Sequence, residues 1–194
     1  MHSRAPFAAL IFTLCLTAPT KALPVVRIAR AGTDHHSAAT VASDTADYIR
    51  NSAIGDMFEI AAGKIAQETS HNHEVQHFSQ MLIEDHTAVQ SALEAALKQA
   101  EFAMTLPPSL DAQHDALVKQ LQDAAASDFD MSFMRQQIVA NESALRVQKS
   151  YAKSGRDASL RMFASQTIPK IETQLTLAER IFRQLSPKTA SSRR

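Results

Sequence analysis

The residues that could do chemistry centre on one stretch, Met81-Leu-Ile-Glu-Asp-His-Thr-Ala-Val89. It sits inside the longest clean helical pattern in the chain. On a helix each residue advances by about 100°. With Val75 at the origin, Phe78, Leu82, Val89, Leu93, Ala96 and Leu97 all fall within about 60° of one direction. His86 falls about 20° from that direction, where a leucine is expected. Asp85 lies near the edge of the same face, and Glu84 points the opposite way. An imidazole there is either a core histidine hydrogen-bonded to a neighbour or part of a buried functional site.

Two other polar residues share this position on other helices. Asn141 falls among the apolar residues of a third long helical pattern, and Gln174 falls inside the stripe of a fourth. Unpaired polar groups in a core cost about 1–3 kcal/mol each, so these side chains are expected to meet partners. The expectation is a buried polar cluster of His86, Asn141 and Gln174, with Asp85 as an alternative partner of His86. A metal site is the competing reading. Its ligands would be Glu59, Asp85 and His86, with Glu142 as a remote fourth. Glu59 lies more than about 100° from the apolar stripe of its helix, and Glu142 points away from both stripes of its own. His73 and His77, four apart on the outward face of the second helix, can reach one ion together. Two ligands make a weak site, and a solvated face is the simpler reading.

Four long helices and one short one must position these residues. The first is expected from about Asp44 or Thr45 to Ser70, with Ile54, Phe58, Ala61, Ala62 and Ile65 as its stripe. The second runs from about Asn72 to Glu101, and Pro107-Pro108 follow in the next loop. A short amphipathic helix spans about Leu110 to Ala125. The third long helix runs from about Asp128 to Ser154 and is apolar on two sides, as burial by two partners requires. Gly155 is a natural stop. The fourth runs from about Asp157 to Leu185, with a kink expected before Pro169. Phe58, Leu82, Phe133, Leu145, Ile171 and Leu175 are expected in one core. The fold class is all-α, a four-helix bundle with the short helix in the crossover between the second and third long helices.

Composition agrees. The 194 residues suffice for one domain, and there are only 4 Gly and no Trp. Lys+Arg and Asp+Glu are both 20, so no basic excess argues for nucleic acid. Met1 to Arg4 is a short positive start, Phe7 to Ala18 an apolar run, and Thr20-Lys-Ala22 a small-residue site. Residues 1–22 therefore read as a cleaved signal peptide, and the mature chain is expected to be periplasmic or secreted with no transmembrane span. The one cysteine, Cys15, lies in that segment without the small residue expected before a lipidated cysteine. Residues 23–45 read as a flexible linker, 46–185 as the helical domain and 186–194 as a basic tail.

Phe58-Glu-Ile60, the Asp85-His86 pair within Met81 to Thr87, Phe129-Asp130, and Leu160 to Pro169 occur in the order and spacing of a known family. The chain from about Asp47 to Gln184 resembles the bacterial domain of unknown function 4142, whose members are labelled exported or outer-membrane proteins. The resemblance implies a ferritin-like antiparallel bundle and no established reaction. The family pattern has histidines where Asn141 and Gln174 stand here, so two good metal ligands are replaced by amides. The diiron signature of ferritin-like enzymes, Glu-x-x-His on two helices, is missing, with Ile83 in the place of that glutamate.

Three functions follow. The first is a non-enzymatic binding or structural role in the cell envelope, with an unknown partner and no cofactor. The second is a metal-binding or metal-dependent protein using His86, Asp85 and Glu59, the metal (zinc, iron or manganese) undecided. The third is a metal-free enzyme such as a hydrolase, for which no nucleophile–base pair stands in the sequence. A homo-oligomer is compatible with all three.

Overall fold

A computed structural model describes residues 34–186, with side chains from Asp44 onward. The expected signal peptide, the first part of the expected linker and residues 187–194 lie outside the described residues. Five helices make up the fold: α1 (Asp34–Thr69), α2 (His73–Gln99), α3 (Ala112–Gln122), α4 (Ala126–Ser154) and α5 (Ala158–Leu185). No strand occurs among the described residues, and no described helix is long and apolar enough to cross a membrane. Helix α1 begins well before the expected Asp44, so part of the expected linker is helical. The stretch carries Ala38, Ala39 and Ala42 and no Gly or Pro after Gly32, which favours helix over coil.

The helix starts follow local chemistry. The side chain of Asn72 accepts from the backbone N–H groups of Glu74 (2.9 Å) and Val75 (3.3 Å). Asp111 caps α3 by accepting from His114 N at 2.9 Å, and Asp157 caps α5 by accepting from Leu160 N at 2.8 Å. Helix α2 ends in a Schellman turn. Phe102 N donates to Leu97 O at 3.2 Å and Glu101 N to Lys98 O at 3.3 Å. The left-handed residue of that turn is Glu101, with φ 51°. At Gly155 the backbone is extended, not left-handed, so conformational freedom is not what requires glycine there. A Cβ would lie 2.4 Å from the Tyr151 ring, and close approach is the reason.

The long helices pack as a bundle. Helix α1 lies against α2 and α4, and α5 lies against α2 and α4. The short α3 crosses the face formed by α1 and α4. The core is split in two. At one end, Phe58, Ala62 and Ala66 of α1 meet Val75, Phe78 and Leu82 of α2, Phe129, Phe133 and Met134 of α4, and Ala178 and Ile181 of α5. At the other, Tyr48, Ile49 and Ala53 of α1 meet Val89, Leu93 and Leu97 of α2, Tyr151 of α4, and Leu160, Phe163 and Ala164 of α5. Each fully buried aromatic or branched side chain contributes about 1.5–3 kcal/mol. The single core expected from sequence is therefore corrected. Ile171 is buried but belongs to neither cluster, and Leu145 and Leu175 are half-buried.

Between the two apolar ends lies a polar layer. Asp56, Glu59, His86, Gln137, Asn141, Thr167 and Gln174 are all buried there.

Candidate ligand-binding site

The layer is built around His86. Its Nδ1 lies 2.8 Å from Asp56 Oδ1 on α1, and its Nε2 lies 3.2 Å from Gln174 Oε1 on α5. Gln174 Nε2 donates to Asp85 Oδ2 at 2.9 Å, which fixes the orientation of that amide. Asp85 in turn pairs with Lys170. Both ring nitrogens of His86 thus face side-chain oxygens, an arrangement that favours the protonated ring. Burial alone pushes His86 down. The hydrogen bond to Asp56 and the charges of Glu59 and Asp56 outweigh it and hold the imidazole above its ordinary value.

The two carboxylates of α1 have different partners. Burial raises Asp56, and the hydrogen bond and charge of His86 pull it back. Glu59 is 4 % exposed, and burial pushes it up to about 7 against the opposing charge of His86. Asp56 Oδ2 and Glu59 Oε2 are buried without a hydrogen-bond partner. The Gln137 amide lies beside Glu59 but makes no hydrogen bond of ordinary geometry. Asn141 is turned back on its own helix, donating to Gln137 O at 2.9 Å.

A cavity of about 660 Å³ opens beside this layer. Asp56, Glu59, His86 and Asn141 line it together with Thr167 and Ile171. Its apolar walls include Ile54 and Phe58 of α1, Leu117 of α3, and Val139, Ala140, Ala144 and Val147 of α4. Helices α1 and α4 hold the cavity between their two points of attachment. At one end the Tyr48 and Tyr151 rings stack at 3.7 Å, and Tyr48 donates to Gln148 Oε1 at 2.8 Å. At the other end Phe58 and Phe133 share a cluster.

The chain matches the family described as Domain of unknown function (DUF4142) over residues 30–181. It belongs to that family. No curated protein and no solved structure matches it.

The DUF4142 helices bring some of the expected site residues together and separate others. His86 and Gln174 meet directly, while Asn141 makes no hydrogen bond to either. Asp85 reaches His86 only through Gln174. The expected metal set Glu59, Asp85, His86 and Glu142 does not converge: Glu142 is exposed, and Asp85 is committed to Lys170 and Gln174. Among the described residues, no group of three or more His, Cys, Asp or Glu is arranged to hold a metal ion. Both ring nitrogens of His86 are engaged by side-chain oxygens, so the residues present do not fit one. His73 and His77 are exposed beside a shallow hollow of about 220 Å³.

Asp56 was not foreseen, and the reason lies in α1. Thr45, Tyr48, Ser52, Asp56, Ala62, Ala66 and Ser70 fall within about 60° of Glu59, and all are buried. A second buried face of α1 is thus centred on Glu59, about 100° from the buried stripe drawn through Ile54 and Phe58. The signal was present as small and hydroxyl-bearing residues at helical spacing, which a search for apolar residues passes over.

Proposed function

We propose that this chain is an exported helical-bundle protein that acts in the cell envelope by non-enzymatic binding of a small ligand. The binding place is the cavity over Asp56, Glu59 and His86, and this cavity is the observation that carries the reading. Concave, mostly apolar walls with a few convergent polar groups are the usual form of a ligand site. No nucleophile stands against a general base in this layer, which favours binding over catalysis.

The bundle is read as ferritin-like and antiparallel. In both core clusters the late part of α1 is matched with the early part of α2 and of α4, or the reverse, and α5 runs likewise against its neighbours. A crossover carrying α3 then joins two helices that run the same way. Export rests on the charged start, apolar run and small-residue site of residues 1–22.

Incubation of the purified chain with a small-molecule extract, followed by mass spectrometry under native conditions, tests the binding. A retained mass that is lost in Gly55→Leu is expected. Gly55 lines the cavity, and a Cβ placed there meets nothing within 4 Å, so a larger side chain can occupy the space without disturbing the bundle. If no mass is retained, or if Gly55→Leu retains it equally, the binding reading is wrong. Mass spectrometry of the exported fraction should find the chain starting near Leu23. An intact Met1 there refutes the signal peptide.

A further inference from the structure

Resting on the cavity reading above, we propose that the ligand is a small organic ammonium ion with an apolar body, its charged head drawn to the buried carboxyl groups of Asp56 and Glu59. Asp56 and Glu59 are both more than nine-tenths buried, both line the cavity, and each keeps one carboxylate oxygen unpartnered. Gln136, also on the lining, has its Oε1 unpartnered while its Nε2 donates to Leu117 O at 3.2 Å. The unmet groups of the cavity lining are therefore acceptors, and a ligand that completes them must be a donor.

Charge points the same way. His86 supplies one positive charge, already directed at Asp56 Oδ1. Two ionised carboxylates would leave one negative charge uncompensated in a buried layer, and an added cation balances it. The other ionisable groups on the lining are Asp111 and His114 from α3 and Arg135 and Arg146 from α4, and α5 contributes only Thr167 and Ile171. Asp111 and His114 hold each other at 2.7 Å. Arg135 and Arg146 are both exposed, and the Arg135 guanidinium lies over the Phe182 ring at 5.7 Å. They mark the rim, not the carboxylate end. A charged head at Asp56 and Glu59 leaves the rest of the ligand among Ile54, Phe58, Ala140, Ala144 and Val147, which asks for an apolar body.

A metal ion is a poorer answer to the same vacancy of donors. The imidazolium offers no lone pair, and an ammonium needs only acceptors.

The test compares three probes of one size: 2-phenylethylammonium, neutral 2-phenylethanol and anionic 3-phenylpropanoate. Calorimetric titration of the wild-type chain, Glu59→Gln and Gly55→Leu is read for each. The ammonium is expected to bind most tightly, to weaken about tenfold or more in Glu59→Gln, and to be lost in Gly55→Leu. Circular dichroism of each variant checks that the helices persist, and Gly55→Leu keeps the test alive should Glu59→Gln unfold. Failure of the ammonium to bind, or binding that Glu59→Gln leaves unchanged, overturns the proposal. Preference for the alcohol or the carboxylate, still lost in Gly55→Leu, overturns the ammonium assignment while leaving the cavity as a binding site.

Discussion

Gln174 bridges His86 and Asp85. Its carbonyl oxygen lies 3.2 Å from His86 Nε2 while its amide nitrogen donates to Asp85 Oδ2 at 2.9 Å. Turning the amide over would place its oxygen against a carboxylate, so the arrangement requires a proton on Nε2. Asp56 Oδ1 lies 2.8 Å from the other ring nitrogen, Nδ1. One chain of side chains thus links α1, α2 and α5 through the middle of the bundle.

Breaking that pair on one side should be worse than removing it whole. His86→Leu leaves Asp56 buried without its counter-charge, and Asp56→Leu leaves an imidazolium alone. Each is expected to cost about 3–5 kcal/mol. The double change Asp56→Leu with His86→Leu should cost well below the sum, because no orphaned charge remains. Urea denaturation of the four proteins measures the coupling. Additive effects would show that the two residues do not stabilise one another.

The layer should also make stability depend on pH. The folded-state value of Glu59 is raised to about 7, so the folded protein holds its proton more firmly than the unfolded chain does. Stability then falls as pH rises from about 4.5 to about 7, by an amount on the order of 3 kcal/mol. Asp56 is raised as well and acts with the same sign. His86 is also raised, so its contribution is complete below about 6.5 and is lost as pH climbs through the folded value. Glu59→Gln should remove the first of these slopes and be more stable than wild type at pH about 8. Equal slopes in the two proteins, from denaturation at a series of pH values, would mean that Glu59 does not titrate in this range.

Most of the architecture was legible in the sequence, because four of the five helices announce themselves. The expected bounds of α2 and α5 fall within about two residues of those observed, while α3 ends at Gln122, three residues before the expected Ala125. His86 and Gln174 stood out because each interrupts an apolar stripe. Helix α1 read only in part. Its apolar stripe is buried at Ile54, Phe58 and Ala62, but a second buried face carries Ser52, Asp56 and Glu59. Gln137 and Gln148 were missed for a related reason. Helix α4 is buried along a wide arc, so periodicity does not say which of its polar residues turn inward. The partner of His86 was therefore out of reach: it belongs to a second buried face of α1 that an apolar pattern does not mark.

The turn after α2 offers a separate check on local structure. Glu101 sits at φ 51° in the left-handed position of a Schellman turn, where glycine is the usual residue. A side chain with a Cβ gives up about 1–2 kcal/mol in that conformation. Glycine removes the strain but adds freedom to the unfolded chain, so Glu101→Gly should stabilise by no more than about 1 kcal/mol. Thermal unfolding should show a small rise in Tm. A clear fall would mean that the Glu101 side chain makes an interaction that outweighs its backbone strain.

The last prediction concerns metal, and it follows from the same two nitrogens. A histidine ligates through a lone pair, and His86 has none while Asp56 Oδ1 and Gln174 Oε1 both accept from it. Binding a metal there would need the loss of a proton, the breaking of one of those hydrogen bonds, and a rotation within a closely packed layer. Glu142 is exposed and Asp85 is held by Lys170, so neither is placed to supply the missing ligands. Protein purified without a histidine tag is therefore expected to carry substoichiometric metal, and its Tm should not respond to a chelator. Elemental analysis beside a thermal scan with and without the chelator decides it. A stoichiometric metal that disappears in His86→Ala, together with a chelator-sensitive Tm, would make the layer a metal centre and require His86 to be neutral in the native protein.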